Sequence, residues 1–74
     1  MSYSEETRQA TCASCGKLNH IVIAYAGDYR ANEREEAACF NCEAIVDREK
    51  CLAIFTGETA EAALLLLRRM QNRA

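Results

Sequence analysis

Cys12-Ala13-Ser14-Cys15-Gly16 and Cys39-Phe40-Asn41-Cys42-Glu43 are two C-x2-C pairs with 23 residues between them, and they decide how this chain reads. Two sulfurs three positions apart face one ion only if the backbone turns sharply between them. Two such turns supply four thiolates, a complete tetrahedral shell for Zn²⁺. Each turn also aims backbone N–H groups at the sulfurs, which stabilises their charge. Gly16, directly after the first pair, has the conformational freedom for a positive φ that such a turn often wants. Glu43, after the second pair, lacks it, and a non-glycine residue in the left-handed region costs about 1 kcal/mol.

Working outward, the chain has 74 residues, one domain at most. A domain of this size buries only about 60% of the surface its unfolded chain exposes, so its core needs a staple. Disulfides and a metal are the two options. No apolar segment of signal-peptide type follows Met1-Ser2-Tyr3-Ser4-Glu5-Glu6. The longest apolar run, Ala62 to Leu67, is far too short to span a bilayer. A cytoplasmic location is therefore expected, where thiols stay reduced and metal is favoured over disulfide. Five cysteines also suit four ligands and one spare thiol better than paired bridges.

At these residues the chain resembles the zinc-ribbon family. Cys12, Cys15, Gly16, Lys17, Cys39 and Cys42 carry the resemblance, with a strand leaving each pair, and it covers residues 7–55. It implies two cysteine knuckles at the ends of β-hairpins gripping one structural Zn²⁺ per chain, in a rubredoxin-like architecture and a small single-domain protein of bacterial type. The second knuckle departs from the family's usual C-P-x-C-G habit, lacking both the proline and the glycine. Ribbons serve transcription, translation, protein adaptors and enzyme subdomains, so the resemblance names an architecture and a metal rather than a task.

The predicted elements follow from local pattern. Residues 1–6 are polar and expected to be disordered, which leaves a single domain over residues 7–74. Arg8 to Thr11 reads as a short strand. Asn19-His20-Ile21-Val22-Ile23-Ala24-Tyr25 is a strand with Ile21, Ile23 and Tyr25 on one face and His20, Val22 and Ala24 on the other. Tyr29 to Glu36 reads as a loop or exposed hairpin arm, and Ala37-Ala38-Cys39 as the end of a strand. Glu43 to Val46 is a strand, Asp47-Arg48-Glu49 a turn, and Lys50 to Phe55 a further strand with Cys51, Ala53 and Phe55 on one face. A helix over about 57–72 follows, capped by Thr56 or Thr59. Glu58 and Glu61 near its start, and Arg68, Arg69 and Arg73 near its end, complement its dipole. Ala60, Ala63, Leu64, Leu67 and Met70 form its apolar stripe. The fold class expected is thus a small, metal-bound, β-rich (α+β) domain: a ribbon of antiparallel strands plus one C-terminal helix.

Other chemistries compete with this one for the same residues. Sulfur ligands alone do not separate zinc from iron. A rubredoxin-like iron electron carrier is the close rival, although the chain has five aromatics and no tryptophan. A thioredoxin-like redox pair would want one C-x-x-C opening a helix in a βαβ setting, whereas here both pairs sit between strands. His20 is expected to be a strand-edge histidine and Cys51 a buried core thiol rather than extra ligands. A catalytic zinc keeps an open position, four cysteines close the shell, and the chain has one histidine and no glycine-rich phosphate loop, so no enzyme is expected.

The formal charge is −2, and four thiolate charges less the two of Zn²⁺ would take it to −4. Such a domain has no overall pull toward nucleic acid. A local patch from Arg68, Arg69 and Arg73, with Arg30, Arg34, Arg48 and Lys50, and Tyr25 and Tyr29 as stacking platforms, would make a nucleic-acid-binding regulator the alternative. Leu65 and Leu66, beyond the core stripe, are surplus apolar surface. Leu64, Leu65, Leu66 and Met70 are the candidate partner interface, toward another protein or a second copy of the chain.

Overall fold

The structure is a computed structural model and describes residues 3–72, with only the backbone of Tyr29. Among the described residues, five strands and one α-helix follow in the order β1 (Ser4–Thr11), β2 (Leu18–Tyr25), β3 (Glu33–Ala38), β4 (Ile45–Cys51), β5 (Ala53–Gly57) and α1 (Ala60–Gln71), with a 3₁₀ turn over Tyr29–Ala31. All strand pairs are antiparallel. One sheet has the order β1-β2-β5; the hairpin β3-β4 forms the other. The β-rich domain with a C-terminal helix is as the sequence predicts. Among the described residues, no helix is long and apolar enough to cross a membrane.

The layers follow from β2. Its apolar residues occur at consecutive positions, so it has two faces to bury. Val22 and Ala24 pack with Ala53 of β5 and Ala63 and Leu67 of α1, flanked by Phe55 and Leu64. Ile21 and Ile23, on the opposite face, pack with Ala37 of β3 and Cys51 of β4, flanked by Ala10, Tyr25, Val46 and Ile54. The three-stranded sheet is therefore the middle layer, with the helix on one side and the hairpin on the other. The two faces assigned to β2 by its period match these two clusters.

Four local expectations are corrected. Ser4, Glu5 and Glu6 belong to β1, not to a disordered start. The strand extends because Ser4 pairs opposite Tyr25, and because the Arg68 guanidinium holds the Glu5 carboxylate at 2.6 and 2.9 Å. Of the two readings open for 29–36, Glu33 to Glu36 take the exposed hairpin arm, as part of β3, whereas Asp47 to Glu49, read as a turn, lie within β4. Charge pairs make these polar strands possible. Arg48 donates to Glu36 across the hairpin at 2.9 Å, and Arg8 of β1 reaches Asp47 at 3.2 Å and Glu49 at 3.4 Å between layers. Tyr25 also donates to Glu49 at 2.8 Å; burial, helped by that carboxylate, pushes its hydroxyl up to about 12.

The third correction is at Leu52, which splits the strand expected over 50–55. Its N–H donates to the Ala24 carbonyl at 2.8 Å, and there the chain passes from the hairpin layer into the middle sheet. Cys51 consequently packs beneath that sheet while Ala53 and Phe55 pack above it. The fourth concerns the helix, which begins at Ala60 rather than near residue 57. Thr59 is the cap, its hydroxyl accepting from the Ala62 N–H at 3.1 Å. Gly57 ends β5 instead, and a Cβ there would stand 2.7 Å from the Ala63 nitrogen, so glycine permits the close return of the helix.

Along α1, Ala63 and Leu67 are fully buried and Leu64 is half-buried against the core. Leu65, at 54% exposure, lies on the outer face. We predict that Leu67→Ala costs about 2–5 kcal/mol, whereas Leu65→Ala changes stability by no more than about 0.5 kcal/mol. Chemical denaturation of the two variants checks this; equal costs would contradict the packing described.

Candidate metal centre

Each cysteine pair occupies the tip of a hairpin, and the two tips are built alike. In the first, the Gly16 N–H donates to the Cys12 carbonyl at 2.8 Å and the Cys12 N–H to the Lys17 carbonyl at 2.9 Å. In the second, the Glu43 N–H donates to the Cys39 carbonyl at 2.9 Å and the Cys39 N–H to the Ala44 carbonyl at 2.7 Å. Both tips need a left-handed residue at the same place: Gly16 has φ +78° and Glu43 φ +68°. The second knuckle thus adopts the conformation its sequence disfavours. A β-bulge in the β3-β4 ladder, after Ala37, lies immediately before this knuckle.

The packing of the hairpin against the middle sheet brings the two tips together. The sulfurs of Cys12, Cys15, Cys39 and Cys42 all lie within 4.8 Å of one another. Across the tips, Cys12 and Cys42 stand 3.5 Å apart, and Cys15 and Cys39 3.6 Å. Metal–sulfur bonds of about 2.3 Å at tetrahedral angles require about 3.8 Å between sulfurs. The five thiols are free of disulfides. Four soft donors at this spacing, two from each hairpin, are positioned to hold one metal ion. Cys12 and Cys39 are buried, Cys15 is half-buried and Cys42 faces solvent.

Asn19 is the functional residue that the sequence reading missed. It lies at the metal end of β2, is fully buried, and spans both hairpins. Its Nδ2 donates to the Cys39 sulfur and to the Lys17 carbonyl, each at 3.3 Å, and its Oδ1 accepts from the Phe40 N–H at 2.9 Å. The Asn41 N–H adds a contact to the Cys39 sulfur at 3.4 Å. A signal was available: period 2 puts Asn19 on the same inward face as Ile21 and Ile23, and a buried amide requires partners.

These donors set the thiol chemistry. Burial alone would raise the Cys39 thiol, but the Asn19 amide and the N–H groups of Cys42 and Asn41 reverse this and lower it to about 6. The Asn41 side chain and the Lys17 N–H lower Cys15. For Cys42, the Ala44 N–H favours the thiolate, yet the neighbouring cysteines, Cys12 foremost, and burial push it up to about 11. The cluster therefore gives up its protons unequally, and a cation would remove the crowding that opposes the last ionisation.

The remaining candidates fall elsewhere. His20 lies on the helix side of β2, opposite Gln9 and Gly57, and takes no part in the sulfur cluster. Cys51 is fully buried, and burial, with Glu35 and Glu49 nearby, raises its thiol. Among the described residues the candidate cations fall in separate places: Arg34, Arg48 and Lys50 lie together on the β3-β4 hairpin, interleaved with Glu35, Glu36 and Glu49, while Arg68 and Arg69 lie on α1. Arg68 is held by Glu5, Arg48 by Glu36, and Arg30 stands 3.6 Å from Asp28. Arg73 and the Tyr29 side chain lie outside the described residues. On α1, Leu64 turns inward, while Leu65 and Leu66 are exposed and Met70 is 36% exposed.

Comparison with protein-family models, with curated proteins and with solved structures finds no match. The fold and the site define the class on their own evidence: a small β-rich domain whose four cysteines are positioned for one metal ion.

The two left-handed positions carry opposite expectations. Gly16→Ala should cost about 1–2 kcal/mol in the metal-loaded protein. Glu43→Gly should leave stability unchanged or raise it by up to about 1 kcal/mol, relief of strain outweighing the added freedom of the unfolded chain. Urea midpoints of both variants decide this, and a destabilising Glu43→Gly would be the contrary result.

Proposed function

We propose that the protein is a zinc ribbon: a non-enzymatic interaction module in which Cys12, Cys15, Cys39 and Cys42 hold one structural Zn²⁺ per chain. The observation that carries this reading is the convergence of four sulfurs from two hairpin tips at near-tetrahedral spacing. Bound there, the ion supplies a cross-link between the middle sheet and the β3-β4 hairpin, and it leaves no open coordination position for a substrate. The chain's own residues supply the rest: Asn19 and Asn41 donate to Cys39, and the buried Cys12 and Cys39 shield the inner side from water. Magnitudes support a structural role. A structural zinc site is worth about 10–16 kcal/mol, whereas the net stability of a domain this size is about 4–11 kcal/mol.

Ala62, Leu65, Leu66 and Arg69 support the interaction role. They repeat at i, i+3, i+4 and i+7 and are all exposed, so beside the face it buries α1 presents an outward apolar patch of Ala62, Leu65 and Leu66 that ends at the cationic Arg69. A protein partner, with a second copy of the chain as the simplest case, is the reading this patch favours over nucleic acid. Three of the candidate cations are already neutralised by carboxylates.

Elemental mass spectrometry of freshly purified protein should give one zinc per chain, and chelation should lower the thermal midpoint and release the β3-β4 hairpin from hydrogen-exchange protection. Iron with visible absorbance would redirect the function to electron transfer. A metal-free protein of unchanged stability would refute the zinc reading. Light scattering on a size-exclusion column tests the simplest partner. Leu65→Glu with Leu66→Glu should convert a dimer to a monomer, and a wild-type monomer at high concentration would remove that case.

A further inference from the structure

We propose that Asn19 is a positioning residue that holds the second knuckle in its ligating conformation, so that the four-sulfur site is pre-assembled by the protein rather than gathered by the ion. This rests on the metal reading above and extends it to a residue outside the ligand set. The two knuckles belong to different layers, and no ladder hydrogen bond joins their sheets. At the metal end Asn19 supplies a connection that reaches inside the second pair, in addition to the Thr56 hydroxyl, which donates to the Ala38 carbonyl just before it. Its Oδ1 accepts from the Phe40 N–H at 2.9 Å, fixing the backbone inside the second pair, and its Nδ2 donates to the Cys39 sulfur at 3.3 Å. A third bond, Nδ2 to the Lys17 carbonyl at 3.3 Å, ties the same amide to the end of the first knuckle.

Burial makes the arrangement specific. Asn19 is the one buried polar residue among the described residues, and no buried side-chain polar atom there lacks a hydrogen-bond partner. An amide is required because the two roles need both of its ends, an acceptor for Phe40 and a donor for the sulfur. The strand rigidifies the amide, since Ile21 and Ile23, on the same face, are fully buried. Fixing the second knuckle in advance reduces the ordering cost of metal capture. Groups that hold a ligand in this way are typically worth about 10–100-fold in metal affinity.

The test uses the full chain and three proteins: wild type, Asn19→Ala and Asn19→Asp. The aspartate keeps the size and the acceptor for Phe40 but sets a carboxylate in place of the donor to Cys39. Zinc affinity is measured by chelator competition, the sulfur-to-metal charge-transfer band with Co²⁺, and the hydrogen exchange of the Phe40 amide without metal. The expected result is a loss of affinity of about 10–100-fold in both variants, with an altered Co²⁺ band in Asn19→Asp. In the metal-free proteins, Phe40 should be protected in wild type and in Asn19→Asp and unprotected in Asn19→Ala. Wild-type affinity and an unchanged band in Asn19→Asp would overturn the proposal, even if Asn19→Ala failed to fold. So would an unprotected Phe40 amide in the metal-free wild type. A wild type that takes up no metal but protects Phe40 would refute the metal reading and leave the pin in place.

Discussion

Burial of β2 on both faces is the constraint on which the other parts of this structure depend. Ile21 and Ile23 need a cover on one side, Val22 and Ala24 on the other, and among the described residues the β3-β4 hairpin covers the first pair and the helix the second. A two-layer arrangement would leave one pair of these side chains in water, at a cost of about 1.5–3 kcal/mol for each of the larger ones. Three layers in a chain of 74 residues leave each core small. The inter-layer polar ties, Arg8 with Asp47 and Glu49, Thr56 with the Ala38 carbonyl, and Asn19 with the second knuckle, lie where those cores end.

The cysteine cluster is a consequence of the same packing. A C-x2-C turn gathers two sulfurs by local geometry, but nothing local brings two turns into register. That is done by the contact of Ala37 and Cys51 with Ile21 and Ile23, which sets the hairpin tip beside the end of β2. The site and the core then reinforce each other: each knuckle fixes the start of a strand, and the strands fix the distance between knuckles. The strained φ of Glu43 fits this picture. The backbone follows the demand of the site where the residue type opposes it.

The helix illustrates how a small domain divides its apolar surface. Ala63 and Leu67 close the upper face of β2, and Gly57 and Thr59 set the angle at which the chain returns over the sheet. Leu65 and Leu66 are left outside. A helix with one buried stripe and two further leucines exposed carries surplus apolar surface, and that surplus is what the proposed partner would cover.

Much of this was legible in the residues, and what was legible was local. The two C-x2-C pairs identify the four sulfurs positioned for a metal ion, because three-residue spacing constrains sulfurs without help from the fold. The alternation in residues 19–25 separates the two faces of β2, the threonine before the helix marks its cap, and Gly16 marks the left-handed turn. The residues misread, or left open between loop and hairpin arm as 33–36 are, are those whose state depends on distant partners. Polar residues 33–36 and 47–49 become strands through charge pairs across the hairpin and between layers, and Ser4 to Glu6 through β2 and the helix end. Leu52 divides an apparently continuous strand because two sheets must be joined there. Asn19 acquires its role only when the second knuckle arrives from another layer. Sequence by itself determined which atoms can bind and which faces must be hidden, since both follow from spacing along the chain. Only the tertiary structure decided which layer hides each face and which amide meets the sulfur, because those depend on approaches between segments far apart in the chain.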